Sequence, residues 1–86
     1  MYMNKENTHL YTVDEFDNIV VHEVLQDVFE ALEERGYNPV NQIVGYLVSG
    51  DPGYISTHKN ARSKIAKIDR NTILEILLKN YVDKIK

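Results

Sequence analysis

All four glycines and both prolines of this chain lie in one central segment, residues 36–62, between two stretches with strong helical patterns. The segment reads GYNPVNQIVGYLVSGDPGYISTHKNAR. Glycine and proline interrupt regular structure, so the segment must contain tight reversals of the chain. It holds no recognised pattern for binding a metal, attacking an acyl group or wrapping a phosphate. A turn-rich centre without catalytic chemistry indicates a protein that works by shape and contact.

The length of 86 residues corresponds to one small domain. Chains of this size bury only about 60–65% of their unfolded surface, so association with a second copy would add stability. The absence of cysteine excludes disulfides and a thiolate zinc site. No apolar run approaches the roughly 20 residues that span a bilayer, and the first residues lack the apolar core of a signal peptide. We therefore expect a cytoplasmic protein without membrane insertion and without a cofactor.

Apolar residues spaced by three and four predict four helices, at about residues 19–35, 39–49, 56–68 and 72–84. The first helix has an apolar stripe opposite an acidic face and follows a cap at Asp17 or Asn18. The last helix, capped by Asp69 or Asn71, is apolar around most of its circumference, which indicates a cover on more than one side. The predicted fold class is all-α. It is a compact bundle of about four short helices over residues 17–86 that forms a homodimer, preceded by a flexible N-terminal arm, residues 1–16.

The central segment is interpreted as architecture. Asn38 caps the second helix and Pro39 occupies its first position, where no donor is lost. Gly50 ends that helix, and the following turn depends on Asp51 and Pro52. Two tyrosines, Tyr46 and Tyr54, are expected to pack across these reversals or across a dimer. Gly45 lies inside the second helix at a cost of about 1 kcal/mol, which indicates either the close approach of another backbone or a tolerated weak position.

Charge is distributed unevenly along the chain. Residues 1–58 carry two basic and ten acidic side chains, a balance of −8, whereas residues 59–86 carry eight basic and three acidic side chains, a balance of +5. The basic part of the third helix is a candidate docking surface for the arm or for a partner; it comprises Lys59, Arg62, Lys64, Lys67 and Arg70. The alternatives are a solvated helix face and a nucleic-acid surface. The sequence pI of about 5.5 disfavours nucleic acid.

Three other groups of residues carry no chemistry. The histidines, His9, His22 and His58, are too far apart in sequence for a helical metal site. The turn at residues 50–53, Gly-Asp-Pro-Gly, lacks the Gly-Lys-Ser/Thr ending of a phosphate-binding loop. No carboxylate pair lies in an apolar pocket pattern that would support acid–base catalysis. An enzymatic function has no residue constellation behind it, and no metal ligand is predicted.

The arm contains two candidate phosphorylation sites, Thr8 and Thr12, in a polar setting beside acidic residues. A threonine in a mobile segment is accessible to a protein kinase, and phosphorylation would add a charge of about −1.5 to −2. Either repulsion within the acidic arm or docking of the phosphate on the basic residues 59–70 could follow. The sequence leaves open which threonine is used.

The central segment resembles the signature of the IreB family, small regulatory phosphoproteins of Gram-positive bacteria. That signature is close to GYNPxNQIVGYxxSGDPxYIxxxxNAR and is matched almost throughout. The resemblance continues in VFEALEERGYNP and in ILEILLKNYV. Two departures are the additional Thr12 and Gly53, where the family commonly has alanine. Thr8, in NTHLYTVDEFD, occupies the place of the family's phosphoacceptor.

The resemblance implies a compact all-helical homodimer with a flexible N-terminal segment. It also implies that the chain is the substrate of a membrane-anchored PASTA-type Ser/Thr kinase and of a PP2C-type phosphatase. In that setting, the family regulates the cell-envelope stress response and intrinsic cephalosporin resistance through an unknown downstream protein.

Overall fold

The computed structural model describes residues 13–86, and side chains from Glu15 onward. This part of the chain is all-α and contains four helices and no strand. They are α1 (Val13–Glu34), α2 (Pro39–Ser49), α3 (Ala61–Ala66) and α4 (Arg70–Ile85). Two single 3₁₀ turns, Pro52–Tyr54 and His58–Asn60, connect α2 to α3. The all-α prediction is confirmed.

The long helix α1 is the centre of the packing, and α2, α3 and α4 all lie against it. One face of α1 is buried, as its apolar spacing predicts, and the acidic side chains occupy the exposed face. The core combines residues of all four helices with one residue from the connection between α2 and α3: Val21, Val28, Ala31, Leu32, Tyr46, Leu47, Ile55, Ala61, Ile65 and Ile73. The other three helices, α2, α3 and α4, therefore pack on α1.

The predicted start of the first helix, near residue 19, is wrong by six residues because α1 begins at Val13. Residues 13–16, which we assigned to the arm, are helical. The acidic side chain of Glu15, in the first turn of α1, suits the positive end of the helix dipole. Phe16 and Val20, one turn apart, line a groove with Ile68 and Thr72. The first two turns of α1 thus lie beside the corner between α3 and α4. They are helical although their sequence has no sustained apolar period.

The predicted third helix is also too long. Residues 56–60 are not α-helical, and Lys59 and Asn60 adopt left-handed conformations with φ of 56° and 62°. Such conformations cost about 1–3 kcal/mol each for residues other than glycine and persist only where surrounding contacts enforce them. Here Ile55 is fully buried, and the side chains of His58 and Lys59 both reach α1. These tertiary contacts replace the first turns of the predicted helix.

The second and fourth helices agree with the sequence patterns. The Asn38 side chain accepts a hydrogen bond from the Asn41 N–H at the start of α2, and Pro39 is the first residue of that helix. Gly50 ends α2 in the left-handed conformation, with φ of 77°. Asp69 caps α4 by accepting from the Asn71 N–H. These boundaries depend on residues next to one another in the chain, which is why the patterns located them.

Candidate functional site

The turn after α2 is fixed by contacts from three parts of the chain. The Asp51 carboxylate accepts a hydrogen bond from the Gly53 N–H at 2.8 Å, which closes the turn that starts at Pro52. The Gln42 side-chain amide donates to the Tyr54 carbonyl at 3.1 Å. Arg70, at the start of α4, donates from Nη1 to the Leu47 carbonyl at 3.0 Å. The architectural role of Asp51 and Pro52 stays a prediction, and the hydrogen bonds of Gln42 and Arg70 carry no signal in the sequence.

Gly45 is explained by a side chain and not by another backbone. A Cβ atom added at Gly45 would overlap with Cε1 of the Tyr54 ring. The tyrosine ring therefore lies directly against the α2 backbone, and only glycine leaves room for it. Tyr54 remains 39% exposed, so its outer edge also contributes to the surface. The energetic cost of a glycine in the middle of a helix was the signal in the sequence. It did not indicate that Tyr54 is the residue that packs there.

The five basic residues of the candidate docking surface have different surroundings. Lys59 and Lys64 form ion pairs with carboxylates of α1, Glu34 at 3.0 Å and Asp27 at 3.1 Å respectively. Arg62 donates from Nε to the Ile55 carbonyl at 2.8 Å, and Arg70 binds a carbonyl of α2. The Lys67 ammonium forms no hydrogen bond or ion pair within residues 13–86.

Two ion pairs, Lys59 with Glu34 and Lys64 with Asp27, account for part of the charge asymmetry. The acidic face of α1 and the basic residues of the following segments meet inside one chain. Exposed ion pairs of this kind contribute about 0–1 kcal/mol each. Because four of the five basic groups contact carboxylates or carbonyls, the described surface lacks a continuous row of free cations. Such a row is what tracking a phosphate backbone requires, and nothing in the described residues favours the nucleic-acid alternative.

Glu34, the last residue of α1, connects the acidic face of α1 to the basic residues of the connection before α3. It accepts from the Nε2–H of His58 at 2.7 Å and from the Lys59 ammonium at 3.0 Å. The hydrogen bond from His58, followed by the one from Lys59, holds the pKa of the Glu34 carboxyl below its ordinary value. This cluster tethers the left-handed turn at residues 58–60 to the end of α1. No sequence pattern indicates this cluster, because 24 residues separate Glu34 from His58.

Glu34→Gln is expected to lower stability at neutral pH and to have less effect in acid. A carboxyl with a lowered folded-state pKa stabilises the fold above its unfolded-state pKa, and this contribution is lost as the pH falls through the folded-state pKa. Thermal unfolding of wild type and variant between about pH 7 and about pH 2 measures the difference. Glu33→Gln, which removes the adjacent exposed carboxylate, is the matched control. A deficit in Glu34→Gln that is equal at all these pH values would contradict the assignment.

Large apolar side chains remain exposed on three of the described helices, α1, α2 and α4. On α4, Leu74, Leu77, Leu78 and Tyr81 are 41–63% exposed, and Phe29 of α1 is 39% exposed beside them. Leu77 and Phe29 line one groove between α1 and α4 together with His22 and Asn80. On α2, Val40, Val44 and Val48 form a second stripe and are 52–80% exposed. Contiguous exposed apolar patches mark interaction surfaces.

Other functional classes receive no support from the described part of the chain. No helix among residues 13–86 is long and apolar enough to cross a membrane. In the same residues, no group of three or more His, Asp or Glu side chains could hold a metal ion. Thr8 and Thr12 lie outside the described residues. Thr12 immediately precedes the first residue of α1 in the sequence.

Comparison with known proteins agrees with the signature in the central segment. The family model of the IreB regulatory phosphoprotein matches residues 6–83. A protein of Lachnoclostridium phytofermentans described as "UPF0297 protein" is 54% identical over 77 residues, which cover 90% of this chain and 88% of that protein. The match to the family model covers Thr8, the architectural turns and α4 as far as residue 83. The chain therefore belongs to the IreB regulatory phosphoprotein family.

Proposed function

We propose that the protein is a non-enzymatic cytoplasmic regulator whose N-terminal segment is phosphorylated by a PASTA-type Ser/Thr kinase and dephosphorylated by a PP2C-type phosphatase. Through this modification it modulates the cell-envelope stress response and cephalosporin resistance, acting on a downstream protein. The observation that carries the proposal is the match to a family of regulatory phosphoproteins, which extends over residues 6–83 and so includes Thr8. The partners named here rest on the resemblance described above.

Phosphosite mapping by mass spectrometry tests this function directly. We expect incubation of the full chain with the PASTA-type kinase of the same organism to place phosphate on Thr8, and the PP2C-type phosphatase to remove it. Thr8→Ala should lose the phosphate on the N-terminal segment, whereas Thr57→Ala, an exposed threonine of the central segment, should keep it. An unmodified N-terminal segment, under conditions in which the kinase labels another substrate, would contradict the proposal.

The phosphate could act through the basic surface. A charge-assisted hydrogen bond to phosphate contributes about 1.5–3 kcal/mol. Lys67 and Lys64 are the groups best suited to provide it, because Arg62 and Arg70 hold backbone carbonyls of the core. The double variant Lys64→Ala/Lys67→Ala should be phosphorylated normally but lose arm docking, whereas Lys84→Ala should behave like wild type. NMR relaxation of residues 1–12 that is the same with and without phosphate would exclude docking.

We further propose that the protein forms a homodimer through the exposed apolar face of α4. Among the described elements, α4 lies mainly against α1 and leaves five large apolar side chains exposed: Leu74, Leu77, Leu78, Tyr81 and Ile85. A two-fold axis near Leu78 would bring these side chains together with their copies. With the axis at Leu77, next to Leu78 and midway between positions 75 and 79, Glu75 would face Lys79 of the other copy, since in a two-fold interface residue i meets the partner's j and residue j meets the partner's i. Opposite charges on the rim of the face are compatible with this self-pairing.

Leu78→Glu is expected to raise the dimer dissociation constant at least tenfold, a change of about 1.4 kcal/mol or more. The reason is that a charge would be buried without a partner in the interface. Val48→Glu on the outer face of α2 is the matched control and should leave the mass unchanged. Light scattering after size-exclusion chromatography measures both. If Val48→Glu gives the monomer and Leu78→Glu does not, the α4 face is not the interface.

A further inference from the structure

Residues 57–60 adopt a conformation that their own sequence does not favour. The sequence pattern predicts a helix here, yet Lys59 and Asn60 are both left-handed, with φ of 56° and 62°. Left-handed residues other than glycine are strained, because their Cβ atom lies close to the following carbonyl oxygen. The strain would disappear if both residues rotated into the right-handed region, where Thr57 and Ala61 already lie. The segment therefore has a second conformation available, in which it continues α3 toward the N-terminus.

Hydrogen bonds to α1 and within the connection hold the left-handed form. The Glu34 carboxylate accepts from Nε2 of His58 at 2.7 Å and from the Lys59 ammonium at 3.0 Å. The Arg62 N–H donates to the carbonyl of Ser56, six residues earlier, at 3.1 Å. In a regular helix this N–H would instead bond to the carbonyl four residues earlier. Winding the segment therefore exchanges one backbone hydrogen bond for another, and the net loss is the pair of side-chain bonds to Glu34.

We propose that residues 57–60 form a two-state switch controlled by Glu34. While Glu34 holds the side chains of His58 and Lys59, the segment is a left-handed turn. When Glu34 releases them, the segment winds into the first turn of α3. Ile55 and Ala61, on either side of the segment, are buried and stay in the core in both forms. The strain of the turn and the bonds to Glu34 oppose each other, and their balance sets the population of each form.

The two forms differ in the position of Lys59. In the left-handed turn its ammonium lies against α1, at Glu34. In the wound form, Ala61 and Ile65 remain on the buried face of α3, and a rotation of about 100° per residue places Lys59 on the opposite face. An anion that binds Lys59 competes with Glu34 and favours the wound form. This consequence rests on the phosphate docking proposed above, whereas the switch itself rests on the described contacts alone.

Nuclear magnetic resonance of the unphosphorylated full-length protein tests the switch. A residue with positive φ gives a strong nuclear Overhauser effect between its own N–H and Hα, whereas a helical residue gives a weak one and a helical Cα shift. Lys59 and Asn60 should show the left-handed signature in the wild-type protein. Glu34→Ala should raise the ratio of the wound to the left-handed form. Glu33→Ala, which removes the adjacent exposed carboxylate, is the matched control and should leave this ratio unchanged.

Two substitutions of Asn60 in the Glu34→Ala background make the test sharper. Alanine favours the helix, and glycine adopts the left-handed conformation without strain. The ratio of the wound to the left-handed form should therefore be at least about tenfold higher with Asn60→Ala than with Asn60→Gly. Left-handed signatures that persist in the alanine variant would overturn the inference. A segment that loses both signatures would overturn it too, because the released state would then have no helical form.

Asn60→Ala alone keeps Glu34 and measures the same equilibrium if Glu34→Ala is too unstable to study. Relaxation dispersion should then detect exchange at residues 58–60 with a minor form that has helical Cα shifts. The absence of such a form would contradict the switch. These measurements need no kinase, and phosphosite mapping needs no switch. Failure of the switch and failure of the proposed function are therefore distinguishable.

Discussion

Gly50→Val is expected to lower the free energy of unfolding by about 3–5 kcal/mol. Gly50 ends α2 with φ of 77°, a conformation that is strained for a β-branched residue. A Cβ at this position would also lie 2.8 Å from Cζ of Arg70. Displacing the guanidinium would break its hydrogen bond to the Leu47 carbonyl. A chain of 86 residues has a total stability of about 4–13 kcal/mol, so a substantial part would be lost. Urea unfolding followed by circular dichroism measures the change.

Gly36 provides a matched control for this prediction. It is also left-handed, with φ of 82°, but nothing lies within 4 Å of the position that a Cβ would occupy. Gly36→Ala and Gly50→Ala therefore share the backbone strain, and only Gly50→Ala should also disturb Arg70. We expect Gly50→Ala to be the more destabilising, and the difference to shrink in an Arg70→Ala background. Equal losses for both alanine variants in the wild-type background would show that the contact with Arg70 is unimportant.

Gly45→Ala is expected to destabilise the protein by about 1–2 kcal/mol, although the same change in an unobstructed helix stabilises by about 1 kcal/mol. The new methyl group would overlap with three atoms of the Tyr54 ring, Cε1, Cδ1 and Cζ. The ring must therefore move away from α2. This movement also disturbs the hydrogen bond that the Tyr54 carbonyl accepts from the Gln42 side chain. Chemical unfolding gives the sign of the effect, and the sign is the informative result.

A double-mutant cycle separates the clash from other effects of the alanine. In a Tyr54→Ala background the obstruction is absent, so Gly45→Ala should become stabilising by about 1 kcal/mol. The coupling energy between the two sites should then be about 2–3 kcal/mol. Tyr37→Ala, which truncates another half-exposed tyrosine, is the control background and should leave Gly45→Ala destabilising. A Gly45→Ala variant that stabilises the otherwise wild-type protein would mean that the ring is not confined there.

At the candidate site, the sequence predicts the turn but not the role of each basic residue. The architectural turn at residues 50–54 was predicted from its glycine, aspartate and proline, because each acts on its immediate neighbours. The basic residues were recognised as a group, but their individual roles were not. Arg62 and Arg70 stabilise the core by donating to carbonyls 7 and 23 residues away. Nothing in the identity of an arginine indicates whether it will bind a carbonyl of its own chain or an external phosphate.

The sequence by itself determined the helical class, both ends of α2 and membership of the IreB family, and it reduced the cap of α4 to Asp69 or Asn71. These conclusions depend on short-range chemistry: apolar spacing, capping side chains, and a nearly complete signature of turn residues. Only the tertiary structure decided where α1 begins, why α3 is short, and what Gly45 makes room for. Those features arise because side chains far apart in sequence meet, as Glu34 meets His58 and Gly45 meets Tyr54. Contacts between residues far apart in sequence stabilise a conformation independently of local propensity. They decide the conformation wherever the local preference is weak.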